Sequence, residues 1–395
     1  MIKSLLLSLS VISSSYALTA EEFNKQQMSS FETSKESFGV YKKSQEEAFE
    51  AYQKAQMKAF EGFKKEVGAF WEDPKMPTQT SLVTYTPDKK TRTDIDFKNQ
   101  EIIVETIAAS PEAAKKQLEA QLALMVSVDT KKFDAIDPLE QTLSKIKKPA
   151  EIVTAEVKPE PILSTVIFGA KPSKKELDSY VQQHISKETI KVTPTTKVPH
   201  QKIYSVTVKM PEDAMVTKSK DYYDEVKKQS GLRKLPMPLV FAIMHSESSF
   251  NPKARSHVPA YGLMQIVPKT AGRDTYKFLY KQDKLVTGDY LYNSTNNITM
   301  GAAYLHILYY NYLREIKNDD SRLYCAIAAY NTGAGNIAWA FTKTYNMKKA
   351  APLINALSPD EVYNKLLKDL RFDEPKHYLK KVSQRMSGYH KIYGI

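Results

Sequence analysis

The sequence predicts an α+β multidomain protein with an N-terminal helical stalk, a small α+β domain and a C-terminal all-α domain. Three observations predict it. Residues 21–72 contain no proline and carry a repeating aromatic stripe. Residues 81–210 alternate strand-like runs with capped helical stretches. Beyond Pro211, helical segments follow one another to the end, separated by prolines and glycines.

Met1-Ile-Lys3 is a short basic start, Leu5 to Ile12 a short apolar run, and Ser15 and Ala17 are small residues at the −3 and −1 positions of a cleavage site. Residues 1–17 are therefore expected to be a secretory signal peptide, cut after Ala17 or, as the alternative, after Ala20. The run is too short to span a bilayer. The expected location is periplasmic. Cys325 is the one cysteine in 395 residues, so no disulfide forms within the chain and no lipid acceptor follows the cleavage site. Cys325 reads as a small buried apolar residue. The mature chain is expected to be soluble, with membrane association left open.

The stalk is expected over 18–75. Phe38, Phe49, Phe60 and Trp71 recur every eleven residues, and Tyr41, Tyr52 and Phe63 follow three behind. Eleven residues make three turns of slightly underwound helix, so the rings share one face. That face needs a cover: the rest of the chain, a partner helix, or a second copy. Lysines and glutamates on the other face also suit a membrane surface.

The α+β domain is expected over 80–212. Leu82–Thr86, Thr93–Phe97 and Glu101–Ile107 read as strands, the last two joined by a turn at Lys98-Asn99-Gln100. Ser110-Pro111 opens a helix to about Val128. Asp137 to Pro161 reads as linker, and Leu163–Phe168 as a strand. Ser173-Lys-Lys-Glu176 is a capping box, and Thr189–Val192 and Ile203–Lys209 read as strands. No catalytic constellation is visible here. In the C-terminal domain, 213–395, helices are expected at 214–230, 237–248, 297–316, 321–331, 334–346, 359–369 and 375–393.

The formal charge of +12 suits an anionic partner: nucleic acid, a membrane surface, or an acidic polymer such as peptidoglycan. No nucleic-acid motif is present and secretion is the wrong compartment for one. The seven histidines are scattered, His245-Ser-Glu247 is no zinc motif, and no glycine loop could cradle phosphate. No cofactor and no metal are expected.

Glu247 carries the chemistry. It ends the apolar run Pro238 to Met244, and a carboxyl at the wet end of a buried helix acquires the raised pKa of a general acid. No lysine or arginine lies within five residues of it. Gly262-Leu-Met-Gln265 offers a tight backbone and a long amide, and Tyr330-Asn331 with Gly333 and Gly335 offers a phenol and a second amide. Such groups around one acid describe a sugar cleft. The competing reading of the same residues is a surface carboxylate with ordinary helix stops.

Glu247-Ser-Ser-Phe-Asn-Pro252, Gly262-Leu-Met-Gln265, Asn297-Ile298 with Gly301 and Tyr304-Leu305, Ala329-Tyr-Asn331 with Gly333 and Gly335, and Glu374 with Tyr378 resemble, in order and spacing, the motifs of lytic transglycosylases of the goose-lysozyme-like superfamily. The resemblance covers roughly 215–393 and implies a lysozyme-like fold. Residues 80–210, with Thr93-Asp-Ile-Asp-Phe97 and Ile203-Tyr-Ser-Val-Thr-Val208, are more loosely similar to the N-terminal domain of the membrane-bound lytic murein transglycosylase C group. Members of that group typically carry a lipid on a cysteine that this chain lacks.

The resemblance implies the glycan strands of peptidoglycan as substrate. The bond cut lies between N-acetylmuramic acid and N-acetylglucosamine, leaving a 1,6-anhydro end, with Glu247 as the single acid and base. An ordinary glycosidase uses two carboxylates. Asp274, Asp283 and Asp289 lie further off in an expected loop, with a water-activating role for one of them as an alternative. Ser256, Met264 and Gln265 would bind sugar. Tyr330 and Asn331 would position Glu247 and the sugar, Tyr330 also excluding water. Tyr378 would face the cleft, and Glu374 is read as structural. Two alternatives accompany this reading: a hydrolytic muramidase on the same scaffold, and a non-catalytic wall-binding protein.

Overall fold

The computed structural model describes residues 20–186, 189–257 and 259–394, with side chains from Lys42 onward. The expected signal peptide and the side chains of Phe38 and Tyr41 lie outside the described residues. One helix, Ala20–Val67, fills the stalk region. Residues 1–51 and 52–395 are separate compact units.

Within the second unit, the end of the long helix shows what covers the aromatic stripe. Tyr52, Phe63 and Val67 are buried. The helix stops at Val67, short of Trp71, which sits in the following turn. Trp71 nevertheless buries fully, because the turn lays it on Tyr85 under the Arg92 guanidinium and its indole N–H reaches the Lys89 carbonyl at 2.8 Å. Phe63 meets Tyr85 edge-on at 5.8 Å. This part of the stripe packs on the rest of the chain.

The sheet has five antiparallel strands in the order β1-β2-β3-β5-β4. They are β1 Ser81–Tyr85, β2 Thr91–Asp96, β3 Glu101–Ala108, β4 Lys191–Pro194 and β5 Lys202–Lys209. Ile102 opposes Val208 and Val104 opposes Val206, so the apolar alternation of two strands meets on one face. Helix Pro111–Ser127 covers that face with Leu118 and Leu122, and starts where Ser110 caps the Ala113 amide. β4 is exposed throughout and ends in Pro194, which suits an edge.

Two expectations fail here. The segment Asp137–Pro161 is not a bare linker. Asp137 caps helix Pro138–Ser144, a second short helix Thr130–Ile136 precedes it, and the stretch after it docks on the helical region. Val153 donates to the Leu285 carbonyl and accepts from Thr287, both at 2.9 Å. Its prolines break periodicity, but tertiary pairing replaces it. Leu163–Phe168 is not a strand: Ser164–Phe168 is one helical turn, closed by Gly169 at φ +74°. Its β-branched composition was decided by burial on neighbouring helices and not by pairing with another strand.

Beyond Pro211, the structure is helical. The expected helix 214–230 divides into Ala214–Lys220 and Tyr223–Arg233. Met237–Ser248 is apolar through Met244, with Pro238 to Met244 all buried, and turns polar only in its last four residues. Helices Arg273–Tyr280, Gly288–Tyr292 and Met347–Asn355 were not expected. Thr287 caps the second of these, so Gly288 opens a helix where it read as a break. Pro352 likewise sits inside the third. Ser294–His306 passes into a wider turn at Ile307–Tyr312, and Asp319–Thr332, Ala334–Thr342, Pro359–Asp369 and Asp373–Tyr393 complete the region. A continuous core joins Ile102 and Val104 of the sheet to Ile243, Ala328 and Leu379 of the helices. Cys325 is buried in it, and burial raises its thiol pKa.

Candidate active site

Glu247 lies one residue before the end of helix Met237–Ser248. Ser249 and Phe250 both take left-handed backbone, φ +50° and +60°, so the chain reverses at once. Two such non-glycine residues cost roughly 1–3 kcal/mol each, and they persist because Phe250 is anchored in the core against Tyr222 and His245. The turn leaves Glu247 half-buried at the rim of an apolar helix.

The last helix, Asp373–Tyr393, holds that end in place. Its Tyr378 hydroxyl donates to Glu247 Oε1 at 2.6 Å. Lys381 Nζ donates to the Ser246 carbonyl at 3.0 Å, and Arg385 to the His245 carbonyl at 2.8 Å and the Ser246 hydroxyl at 3.1 Å. These cations satisfy carbonyls that a helix C-terminus leaves open and oppose its dipole. Sequence proximity suggested an acid without cations, but the fold brings Lys381 close enough to matter. Its signal was the spacing of Tyr378, Lys381 and Arg385 on one helix face.

Burial is the dominant influence on Glu247 and pushes its pKa up to about 7. The Tyr378 hydrogen bond and the Lys381 charge pull it down, and Glu374 adds a smaller upward push. Burial, then Arg385 and Lys381, lower His245 to about 3, so it stays neutral beside the acid, with Tyr389 Oη 3.0 Å from its Nδ1.

The loop Gly262–Gln265 is fixed from three sides. Asn297 Nδ2 donates to the Tyr261 and Leu291 carbonyls, and Asn297 Oδ1 accepts from the Met264 amide, each at 2.8 Å. Ser248 donates to the Leu263 carbonyl at 2.8 Å, which ties the loop to the residue after Glu247. Tyr330 Oη donates to the Met264 carbonyl at 2.8 Å. Gly262 is at φ +74°, and a Cβ there would lie 2.3 Å from the Asn297 amide nitrogen and 2.4 Å from the Leu291 carbonyl. Gly301 is needed for packing: a Cβ on it would lie 2.2 Å from Met264 Sδ.

The expected site residues fall into separate groups. Tyr378 reaches Glu247 directly. Tyr330 was expected to position the acid, but its hydroxyl goes to the loop; Glu247 remains near enough for its charge to act on the phenol. Gln265, at φ +48°, turns its Nε2 back to the Gly262 carbonyl at 2.9 Å, while its buried Oε1 has no partner among the described residues. Met264 is fully buried against Gly301. Asn331 donates to Glu374 at 3.2 Å. Ser256 lies in the loop after the turn, with its hydroxyl accepting from the Ala260 amide at 3.1 Å, beside a cavity shared with Gln56 and Phe60. Asp274 and Asp289 are on helices, not in a loop; Asp283 pairs with Arg273 and Asp289 with Lys148. Among the described residues, Glu374 is the carboxylate whose charge adds to the raised pKa of Glu247. Among the described residues no group of three or more His, Cys, Asp or Glu is placed to hold a metal.

Residues 224–352 match the family model of the transglycosylase SLT domain, and residues 45–149 that of the membrane-bound lytic murein transglycosylase C N-terminal domain. The membrane-bound lytic murein transglycosylase C of Serratia proteamaculans is 32% identical over 315 residues, covering 78% of this chain and 81% of the relative. The chain belongs to the membrane-bound lytic murein transglycosylase C family. The same-named protein of Photorhabdus laumondii is 40% identical over 188 residues, 48% of this chain and 52% of the relative. Among solved structures, the 70 kDa soluble lytic transglycosylase of Escherichia coli aligns at 25% identity and a TM-score of 0.34, covering 46% of this chain and 28% of the other. Sequence reasoning about this transglycosylase missed Lys381 and Arg385; Ser248 stands in the Glu247 motif, but its tie to the Leu263 carbonyl is visible only in the fold. Asn297 was noted as a motif residue, but its work as the loop's anchor appears only in three dimensions.

Proposed function

We propose that Glu247 is the single general acid and base of a lytic transglycosylase that cuts the glycan strands of peptidoglycan. The chain is an enzyme of that class by family, and murein is the family's substrate. Glu247, protonated near neutral pH, gives its proton to the glycosidic oxygen between N-acetylmuramic acid and N-acetylglucosamine. The carboxylate left behind takes the proton of the muramoyl C6 hydroxyl as that oxygen bonds to the anomeric carbon. The C1–O bond to the leaving sugar breaks, a 1,6-anhydro ring forms, and Glu247 ends protonated. No water is consumed.

The observation that carries this reading is a carboxyl raised by burial to a pKa of about 7 and held by one phenol. A two-carboxylate glycosidase needs a second acid roughly 5–10 Å away across the bond; Glu374, whose charge reaches Glu247, is engaged by the Asn331 amide. Tyr378 fixes the carboxyl's orientation. Gln265 Oε1, buried and unpaired, is the acceptor for a sugar amide N–H. Tyr330 and Asn297 hold that loop, and Ser256, Met264 and Asn331 complete the cleft. The family places the enzyme in the cell envelope, and residues 1–17 are proposed as the export signal. Among the described residues no helix is long and apolar enough to cross a membrane.

Digests of murein sacculi by wild type and Glu247→Gln, analysed by mass spectrometry, test the proposal. Wild type is expected to release anhydro-muropeptides, and the variant none while still sedimenting with sacculi. Reducing ends from wild type would make the enzyme a muramidase, and undiminished release by Glu247→Gln would remove Glu247 from the reaction.

A further inference from the structure

Away from Glu247, a cavity of about 570 Å³ opens where three parts of the chain meet: the long helix at Tyr52 and Gln56, the segment 131–157, and residues 255–292. Its volume is that of a ligand site. The wall is rigid: Tyr261 Oη donates to Gln56 Oε1 at 3.4 Å, and Gln56 Nε2 donates to Tyr52 Oη at 3.0 Å.

Arg255 is the unusual member. Its guanidinium lies between the rings of Phe60 and Tyr261, 5.2 and 5.5 Å from their centroids. Among the described residues it has no ion pair and its guanidinium makes no hydrogen bond. Burial opposes its charge, but the Tyr292 and Tyr261 phenols and the Glu140 carboxylate outweigh that and raise its pKa. By contrast Arg92, equally ringed, spends its donors on Glu105 and the Asp73 carbonyl. A stacked guanidinium with unspent donors is a preformed fork for a planar carboxylate. The other charges of the lining are largely spent on one another: Lys148 pairs with Asp289, and Lys253 pairs with Asp134 and Glu140. A wall neutralised in this way around one open guanidinium suits a ligand with a carboxylate set in a polar chain, not a neutral sugar or a polyanion.

We propose that this cavity binds the stem peptide of murein, with Arg255 taking a peptide carboxylate. The inference rests on the murein substrate proposed above. Arg255 is next to Ser256 in the chain, so a peptide branching from a strand near Ser256 has a short path to the cavity. The lactyl carboxylate of a peptide-free muramic acid shares the anion but fills little of a cavity of this volume, so the space favours the peptide.

The test uses the full chain carrying Glu247→Gln, so that binding is read whether or not Glu247 performs cleavage. Titration calorimetry with free murein stem tetrapeptide is expected to show binding that weakens at least tenfold on adding Arg255→Gln. Arg255→Lys keeps the cation but not the fork and is expected to recover little. Should Arg255→Gln melt early, the Lys variant carries the test. In active enzyme, the ratio of kcat/KM on peptide-bearing strands to that on amidase-stripped strands is expected to fall in both variants. Absence of tetrapeptide binding to the parent chain overturns the proposal. So does an unchanged ratio, which would make Arg255 a reader of the lactyl group or a support for the Ser256 loop.

Discussion

Asp137, beside the sheet, and Glu247, at the end of the core helix, are both carboxyls raised to about 7, and burial is the first cause in each. Their surroundings differ in what is left over. Asp137 Oδ1 accepts from the Glu140 amide at 2.7 Å and Oδ2 from the Thr84 hydroxyl at 2.8 Å, and the residue is 2% exposed. Glu247 accepts one bond on Oε1, has none on Oε2 among the described residues, and stays half-buried. Burial explains the acidity of both. The unfilled oxygen, and Gln265 Oε1 on the neighbouring loop, which has no partner among the described residues, separate the proposed acid from a cap.

The comparison breaks first if the two acids respond alike to removal of charge. Glu247→Gln is expected to lower the rate of muropeptide release by about 10²–10⁴-fold, the range of a general acid. Asp137→Asn is expected to leave that rate within about twofold and, because asparagine caps a helix as well as aspartate does, to change the melting point little. Equal losses of rate would make acidity, not vacancy, the mark of the site.

A second expectation concerns the loop. Asn297→Ala removes three buried hydrogen bonds and should destabilise the chain by about 3 kcal/mol or more in denaturant titration. Gly262→Ala should be comparably severe, since its Cβ meets backbone. If either variant unfolds normally but loses activity, the loop is a functional device more than a structural one.

The pH dependence follows from the sign of the shift. A carboxyl whose folded pKa is raised adds stability below its unfolded value near 4.5, and that stability is lost as pH rises through about 7. Wild type should therefore lose about 1–3 kcal/mol relative to Glu247→Gln between about pH 4 and pH 8. Turnover should fall over the upper part of the same window, as the proton to be donated is lost. A flat difference between the two stability curves would place the Glu247 pKa near the ordinary carboxyl value.

The smallest effect is expected from Tyr378→Phe. Its hydrogen bond lowers the Glu247 pKa, so its loss should move the alkaline limb of the pH–rate profile upward while lowering kcat by about tenfold. A downward movement would mean that the phenol acts by excluding water instead.

Much of the fold could be read from local signals. Ser110 and Ser173 cap the helices they were expected to open, because a cap is made within four residues. The hairpin at Lys98-Asn99-Gln100 joins β2 and β3, with Asn99 bonded to Asp96 and Gln100 left-handed. Leu163–Phe168 misled because five residues carry too few turns to show a period, and Gly169 closed them into a helix. Pro352 and Gly288 misled because each reads as a break without its tertiary setting. In the site, Glu247 was legible as a polar residue ending an apolar run. Its partner was not: nothing local distinguishes Tyr330, 83 residues downstream, from Tyr378, 131 downstream.

The sequence by itself determined the order of elements, the buried helix that ends at Glu247, and the family motifs, since each depends on spacing along one segment. Tertiary structure alone decided which phenol touches Glu247, which cations cap its helix, that Asn297 anchors the Gly262–Gln265 loop, and that the Arg255 guanidinium has no ion pair among the described residues. Those outcomes depend on side chains far apart in the chain and close in space, and on which donors remain after the core has used the others.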